Sequence, residues 1–182
     1  MTPEQAVFLR GFLLPALQSE QAVTGRIIAG IPAGQEDYRP HPKNWTALRL
    51  ARHLAGTEMW FLHAVIHRQF VDGQGPKDDV RTGAAIAQWY ADAFARRIPQ
   101  VEALTGKELA TPVDYIGLRN DPAVAYLNIA IRHSVHHRGQ LSTYLRAMGA
   151  KVPAIYVASA DEPFDASPED IATGRVPRPP AF

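Results

Sequence analysis

Four long stretches of this chain place apolar side chains at three- and four-residue spacing, and no other feature constrains the fold as strongly. The spacing predicts helices over about residues 4–29, 45–70, 82–104 and 121–148. A chain of 182 residues, 46% hydrophobic and 20% charged, can bury one sizeable core. The sequence therefore predicts an all-α protein that forms a single domain over residues 1–182.

The ends of the predicted helices carry local signals. Pro15 lies inside the first helix and is expected to kink or split it, because proline removes a donor and clashes one turn back. Asn44 is the predicted N-cap of the second helix. Asp121 followed by Pro122 predicts the start of the fourth helix, and a short β-like piece is expected around residues 113–116.

Two other stretches connect and follow the helices. Residues 72–81 are rich in Gly, Pro and Asp and predict a break that can serve as a long crossover. Gly149 is expected to end the fourth helix in a left-handed conformation. Six of the 15 prolines lie between Pro153 and Pro180, so residues 150–182 are predicted to pack on the helices as an extended tail.

Composition and charge argue against several classes of protein. The formal net charge is +1 and no dense Lys/Arg tract occurs, so a nucleic-acid-binding surface is not expected. No apolar run reaches the roughly 18 residues that span a bilayer, and the N-terminus lacks the features of a signal peptide. The chain has no cysteine, which excludes disulfides, thiolate ligands and a cysteine nucleophile. A cytoplasmic location without a membrane partner is expected.

Three of the seven histidines fall within five residues of the fourth predicted helix. His133 and His137 are four residues apart, about 6 Å along the same face, which is the spacing at which one helix offers two imidazoles to one metal ion. His53 lies on the apolar stripe of the second helix and is the best third ligand. The spacing alone also allows a pair of hydrogen-bonded histidines, but three buried imidazoles without a metal would need three sets of partners.

The residue types indicate what such a centre can do. Three imidazoles suit Zn, Ni or Fe, and a fourth, open position can lower the pKa of a bound water or ionise a bound thiol. Metalloproteases place glutamate directly after the first histidine as the general base. This chain has Ser134 there, which argues against a protease.

The other histidines are interpreted differently. His136 is expected to be a flanking or surface residue. His63 and His67 form a second pair at four-residue spacing, but His67 lies about 21 Å along the helix from His53, so this pair is expected to face solvent or a partner. His41 precedes a proline and is expected to be solvated or to act as a cap.

Several residues near the predicted ligands also need an interpretation. Arg138 is expected in a surface salt bridge, and Glu58 is expected to face solvent. Gln140 is expected to be an exposed amide, with support of a ligand imidazole as the alternative. The large aromatic side chains are expected in the core or in a pocket wall: Trp45, Trp60, Phe61, Trp89, Tyr90 and Phe94.

Three pieces of this sequence resemble one known family. They are Tyr-Arg-Pro-His-Pro-Lys-Asn-Trp-Thr at 38–46 leading into Leu-Ala-Arg-His-Leu-Ala at 50–55, then His-Ser-Val-His-His-Arg-Gly-Gln-Leu at 133–141, and the stretch 148–156. In their order and separation, the pieces are similar to the DinB-like (YfiT-like) superfamily of metal-dependent four-helix-bundle proteins. The family name refers to induction by DNA damage and does not imply DNA binding.

The resemblance implies a four-helix bundle with up-down-down-up topology, one long crossover and a homodimeric state. It implies a divalent metal held by one histidine from the second helix and two from the fourth, which match His53, His133 and His137. Relatives include transferases and isomerases that use low-molecular-weight thiols. The expected function is therefore a metal-dependent thiol S-transferase, hydrolase or isomerase acting on a small molecule. The alternative is a non-catalytic metal-binding or interaction protein with a structural ion.

Overall fold

A computed structural model describes residues 1–163, 169 and 173 of the chain. Its elements in order are α1 (Pro3–Ala29), α2 (Ala47–His67), α3 (Gly83–Glu102), the short α4 (Gly106–Ala110), β1 (Pro112–Tyr115), β2 (Arg119–Pro122) and α5 (Ala125–Ala147). The described part is mainly helical. A two-stranded antiparallel sheet corrects the all-α prediction.

The four long helices enclose one apolar core. α1 packs on α3 and α5, α2 packs on the same two helices, and α4 lies against α1. Most buried side chains of α2 are apolar, among them Leu50, Leu54, Met59, Phe61, Leu62 and Val65. Within the described residues, no helix is both long and apolar enough to cross a bilayer. The packing brings α2, which carries His53, against α5, which carries the histidine-rich segment.

The first helix runs without a break through Pro15, so the predicted split is wrong. Proline removes the donor that would bond to the carbonyl of Gly11, and both residues are exposed. Water can therefore hydrate that carbonyl, and burial of Leu14 and Leu17 holds the helix on the core.

The second helix begins two residues later than predicted, and its N-cap is Thr46 instead of Asn44. The Thr46 hydroxyl accepts a hydrogen bond from the backbone N–H of Arg49 at 3.2 Å. Asn44 lies in a preceding turn, where its N–H donates to the carbonyl of His41 at 2.8 Å. The two candidate caps are close in sequence, and only the path of the loop decides between them.

The predicted start of the last long helix at Asp121 and Pro122 is also wrong, because both residues belong to β2. Pro122 pairs with Pro112 and Asp121 with Val113 in an antiparallel register. The hairpin turns through Ile116 and Gly117, which both have positive φ angles. The expected β-like piece at 113–116 is thus confirmed as β1, which spans Pro112–Tyr115, and its partner strand takes the place of the first helical turn.

The break after α2 is confirmed, and its loop is tied to the helix by Arg52. The Arg52 guanidinium donates to the carbonyls of Pro76 at 2.8 Å and Val80 at 2.7 Å, and it also bonds to the carbonyl of Lys77 and the carboxylate of Asp78. These bonds hold the loop along the side of α2.

The segment after α5 packs on the bundle as far as it is described. Gly149 has the predicted positive φ of 72°. Asp161 forms an ion pair with Arg146 at 2.6 Å, and Glu162 forms one with Arg26. The predicted tail beyond residue 163 lies outside the described residues, except for Glu169 and Thr173.

Candidate metal centre

Three histidines from two helices meet at one point, as the sequence predicts. Nε2 of His53 lies 2.9 Å from Nε2 of His133 and 3.2 Å from Nε2 of His137. The ligand atoms of all three residues lie within 4.8 Å of one another. These residues, called the histidine cluster below, could hold one metal ion together.

The nitrogen separations fit a shared ion. Zn–N bonds of about 2.0–2.1 Å in tetrahedral geometry place two ligand nitrogens roughly 3.3 Å apart. The separations of 2.9 and 3.2 Å around His53 are close to this value. The ligand atoms of the third pair, His133 and His137, lie within 4.8 Å of each other, so the geometry would be complete once side-chain movement brings them to the tetrahedral value.

Contacts made by Nδ1 in two of the three imidazoles orient these rings so that Nε2 faces the centre. Nδ1–H of His137 donates to Oε1 of Gln140 at 2.7 Å, so Nε2 of His137 presents a lone pair inward when the ring is neutral. Nδ1 of His53 lies 3.2 Å from the hydroxyl of Thr57. Partners of this kind orient ligand imidazoles in metal sites. The supporting role considered for Gln140 agrees with this geometry.

Burial keeps the cluster neutral near pH 7. Desolvation, helped by the neighbouring rings, lowers the pKa of His53 to about 4 and that of His133 to about 3. Desolvation also lowers the pKa of His137. Nδ1 of His133 is buried and has no hydrogen-bond partner among the described residues. Neutral imidazoles with converging lone pairs are the form that binds metal ions.

Two cavities adjoin the histidine cluster on different sides. The aromatic cavity, of about 370 Å³, is lined by His53, His133, Gly56, Thr57, Trp60, Phe61, Asp72, Gly73, Gln74, Gly75 and Tyr115. The polar cavity, of about 230 Å³, is lined by Lys43, Asn44, Trp45, Leu50, His137, Gln140 and Tyr144. Trp45 packs edge-on against His53, with ring centroids 4.8 Å apart. Space for a small molecule therefore adjoins the histidine cluster in both cavities.

Glu58 is fully buried, so the expectation that it faces solvent is wrong. Its carboxylate accepts hydrogen bonds from the hydroxyl of Tyr90 at 2.6 Å and from the hydroxyl of Ser134. Burial raises the pKa of Glu58 to about 7, although both hydrogen bonds oppose the shift. Glu58 thus links α2 to α3 and to α5 directly behind the histidine cluster.

Arg138 is buried with 1% of its surface exposed, so the predicted surface salt bridge is wrong. Its guanidinium pairs with the carboxylate of Glu20 at 2.5 Å and donates to the hydroxyl of Tyr156 at 2.6 Å. A weaker contact reaches Thr24 at 3.4 Å. We call Glu58, Tyr90, Ser134 and Arg138, with these partners, the buried polar layer.

The sequence contains only a weak signal that the residues of this layer are buried. Glu58 lies four residues after Leu54 and four before Leu62, on the same buried side of α2. Ser134 and Arg138 are likewise four residues apart and lie on the buried side of α5. Position on a stripe marks them as inward, whereas residue type argues for the surface.

The remaining histidines stay outside the centre. His136 is exposed, with its ring centroid 4.8 Å from that of His137. The rings of His63 and His67 lie 4.3 Å apart on α2. His41 is exposed, as one of the two expectations had it, and accepts a hydrogen bond from the N–H of Lys43 within the loop. Across the described residues, the histidine cluster is the one group of three suitable side chains close enough to share an ion.

Fold and site together define a mainly helical protein with a three-histidine cluster between two of its helices. The DinB family model matches residues 9–169, and the chain belongs to this family. Among curated proteins, the chain is similar to YjoA of Bacillus subtilis, with 24% identity over 134 residues that cover 72% of this chain and 85% of YjoA. It is also similar to YrdA of the same organism, with 29% identity over 125 residues, covering 66% and 71%.

Two solved structures share the fold. A DinB-like protein from Bacillus cereus superposes with a TM-score of 0.66 at 23% identity, covering 79% of this chain and 95% of that chain. The structure of YjoA from Bacillus subtilis superposes with a TM-score of 0.65, also at 23% identity, covering 79% and 96%. These likenesses bear out the DinB-like fold that the sequence predicts.

Proposed function

We propose that this protein binds one divalent metal ion through His53, His133 and His137 and acts as a metal-dependent enzyme on a small molecule. The observation that carries the proposal is the convergence of three neutral imidazoles with Nε2 atoms 2.9 and 3.2 Å apart around His53. Without a cation, lone pairs facing each other at this distance would repel. Zn, Ni and Fe all suit such a ligand set.

The proposed fold is a four-helix bundle with up-down-down-up topology, in which the loop after α2 is the long crossover. Support comes from the packing of α1 and α2 on the same two helices, α3 and α5. In this arrangement, the proposed ligands come from facing helices of one bundle, as in other bundle metal sites.

The proposed reaction class is transfer, hydrolysis or isomerisation that uses a low-molecular-weight thiol. A divalent ion at the cluster would lower the pKa of a thiol or water in its open position. Gln140 and Thr57 hold two of the ligand rings. Because the chain has no cysteine, any thiol must arrive with a ligand, and the two cavities leave room for a ligand on either side of the centre.

The second candidate function is a structural ion without catalysis. It is favoured by the state of Glu58, because this carboxylate is fully buried and hydrogen-bonded to Tyr90 and Ser134 and so is not free to act as a base at the cluster. In this case the ion would mainly join α2 to α5, through the coupling of metal binding to folding.

Elemental analysis of protein purified without a nickel column tests the metal proposal. The wild type should contain about one ion per chain, and His53→Ala should contain close to none. His136→Ala is the matched control, because His136 is exposed beside the cluster, and it should keep the ion. Equal metal content in all three proteins would overturn the proposal.

An assay with a panel of thiols and electrophiles then separates the two candidate functions. Turnover that requires the metal and is lost in His133→Ala supports the enzyme. A metal-loaded protein that is stabilised by its ion but turns over no member of the panel supports the structural ion.

The homodimer, the small-molecule partner and the cytoplasmic location remain predictions. Phe8 and Phe12, one turn apart on α1, are 74% and 71% exposed, which is the kind of apolar surface that an isologous dimer would cover. Sedimentation of the full chain, with Phe12→Glu as the disrupting variant, tests the dimer.

A further inference from the structure

We propose that the aromatic cavity beside His53 and His133 binds a planar aromatic group, neutral or cationic, of a substrate whose metal-binding atoms reach the histidine cluster. This inference rests on the proposed function and assigns a substrate class to the same site. The cavity has a volume of about 370 Å³, within the range of small-molecule sites, and two of the three proposed ligands form part of its lining.

One side of the cavity is made of aromatic rings. The ring centroid of Trp60 lies 5.5 Å from that of Phe61 and 5.8 Å from that of Tyr115. Phe61 and Tyr115 are nearly parallel, at 16°, with centroids 6.2 Å apart. Aromatic faces and edges attract another ring at distances of about 4.5–7 Å. Since Phe61 also packs against His133 at 6.0 Å, this wall continues up to the proposed metal position.

Glycines from α2 and from the loop after it also line the cavity. A Cβ atom placed on Gly56 would lie 3.0 Å from the Cα of Gly75, so α2 and the loop approach as closely as two glycines allow. Neither glycine places a side chain in the space beside the aromatic rings. A slot lined by rings and by glycine backbone suits a planar group better than a branched one.

Two arginine side chains hold the loop that forms part of the slot. Arg52 bonds to the carbonyls of Pro76 and Val80, and Arg97 donates to Oε1 of Gln74 at 2.8 Å. Two arginines from two helices therefore hold the loop on both sides of Gly75. A preformed site loses little ordering entropy when a ligand binds.

The two cavities beside the histidine cluster differ in the charge of their lining residues. The aromatic cavity includes the carboxylate of Asp72, whereas the polar cavity includes the ammonium of Lys43. The carboxylate repels an anionic aromatic group, which is why the inferred ligand is neutral or cationic.

Two small hydroxamates test this inference on the zinc-loaded full chain. Acetohydroxamate and benzohydroxamate bind zinc through the same atoms and differ in whether a ring is present. We expect benzohydroxamate to bind about tenfold more tightly in calorimetry, because the ring enters the slot. A 4-carboxylated benzohydroxamate should lose most of this gain and regain it in Asp72→Asn.

Variants of the cavity lining test whether the higher affinity for benzohydroxamate comes from the aromatic slot. Tyr115→Ala should bring the two affinities to within about twofold of each other while acetohydroxamate binding stays unchanged. Leu118→Ala is the matched control, because Leu118 is in the same hairpin, is exposed and does not line the cavity. Gly75→Val is a second variant that narrows the slot, since an added Cβ there meets only the Cα of Gly56 at 3.6 Å.

The outcomes separate the inference from the function on which it rests. Equal affinities of the two hydroxamates in the zinc-loaded wild type, or a ring preference that survives both Tyr115→Ala and Gly75→Val, would overturn the aromatic site alone. A chain that takes up no zinc would overturn the proposed metal site together with this inference. A zinc-loaded chain that binds neither hydroxamate would leave the metal site standing and would overturn this inference together with the open coordination position that the enzyme proposal needs.

Discussion

The histidine cluster and the buried polar layer lie side by side between α2 and α5, but they satisfy their polar atoms in different ways. In the layer, each carboxylate and the guanidinium have partners on other helices, as Glu58 has in Tyr90 and Ser134. In the cluster, the Nε2 atoms of three histidines face one another. The layer satisfies its polar atoms within the protein, whereas the cluster gathers three metal-binding nitrogens at one point and could hold an ion there.

The largest effect is expected from removing the cation of the buried polar layer. Arg138→Ala leaves the carboxylate of Glu20 without its positive partner and removes the positive charge that favours the ionised form of Glu58, so the free energy of unfolding should fall by about 3–5 kcal/mol in urea denaturation. Arg132→Ala, an exposed position on the same helix, should change it by less than about 0.5 kcal/mol. A small loss in Arg138→Ala would show that the layer is not held by charge pairing.

Metal removal should have the next largest effect, and it should act through the cluster alone. At a free metal concentration of about 100 times Kd, a bound ion adds about 2.7 kcal/mol to stability, which a chelator should remove. Thermal unfolding with and without chelator measures the change. His133→Ala should unfold identically in both conditions, and a chelator effect of equal size in that variant would contradict the assigned site.

A smaller loss is expected when one supporting partner of the cluster is removed. Gln140→Ala frees Nδ1 of His137 and should weaken metal binding by about 10- to 100-fold, as measured by competition with a chromophoric chelator. Gly139→Ala is the matched control. An added Cβ there meets no atom within 4 Å, so metal affinity should be unchanged. Parallel losses in both variants would point to the helix instead of the hydrogen bond.

Near pH 7 the smallest effect is a pH dependence of stability, which should have opposite sign in the two regions of the metal-free protein. The pKa values of His53 and His133 are lowered, so the unfolded chain binds more protons below about pH 6.5 and stability falls as pH falls. The pKa of Glu58 is raised to about 7, so the folded chain binds more protons between about pH 4.5 and 7, and stability falls as pH rises.

Glu58→Gln removes one of these two opposing slopes. In the presence of a chelator, the free energy of unfolding of this variant should then fall more steeply than that of the wild type on acidification from pH 7 to 4.5. The difference in slope should be at most about 1.4 kcal/mol per pH unit. A variant whose pH profile overlays that of the wild type would show that Glu58 keeps its ordinary pKa in the folded state.

The histidine cluster could be predicted from sequence because its signals are local. Four-residue spacing places His133 and His137 on one face, and the apolar stripe of α2 turns His53 inward. Both inferences use one helix at a time. The DinB-like resemblance added the pairing of the two helices, which spacing cannot supply.

The buried polar layer could not be predicted because its signals are not local. Burial of Glu58 depends on Tyr90 from α3 and Ser134 from α5, and burial of Arg138 depends on Glu20 from α1. The predicted start of α5 was wrong for the same reason. Asp121 and Pro122 have the local pattern of a helix start, but pairing with β1 takes them into a strand.

The contacts of Tyr156 affect where this chain can be truncated. Its hydroxyl touches both Arg138 and Glu20, so a residue beyond the last long helix completes a charge pair in the interior. A truncation made at Gly149, where the helices end, would expose that interior pair to water. We therefore expect shortened versions of this chain to be more stable when they retain the polypeptide at least through the ion pairs of Asp161 and Glu162.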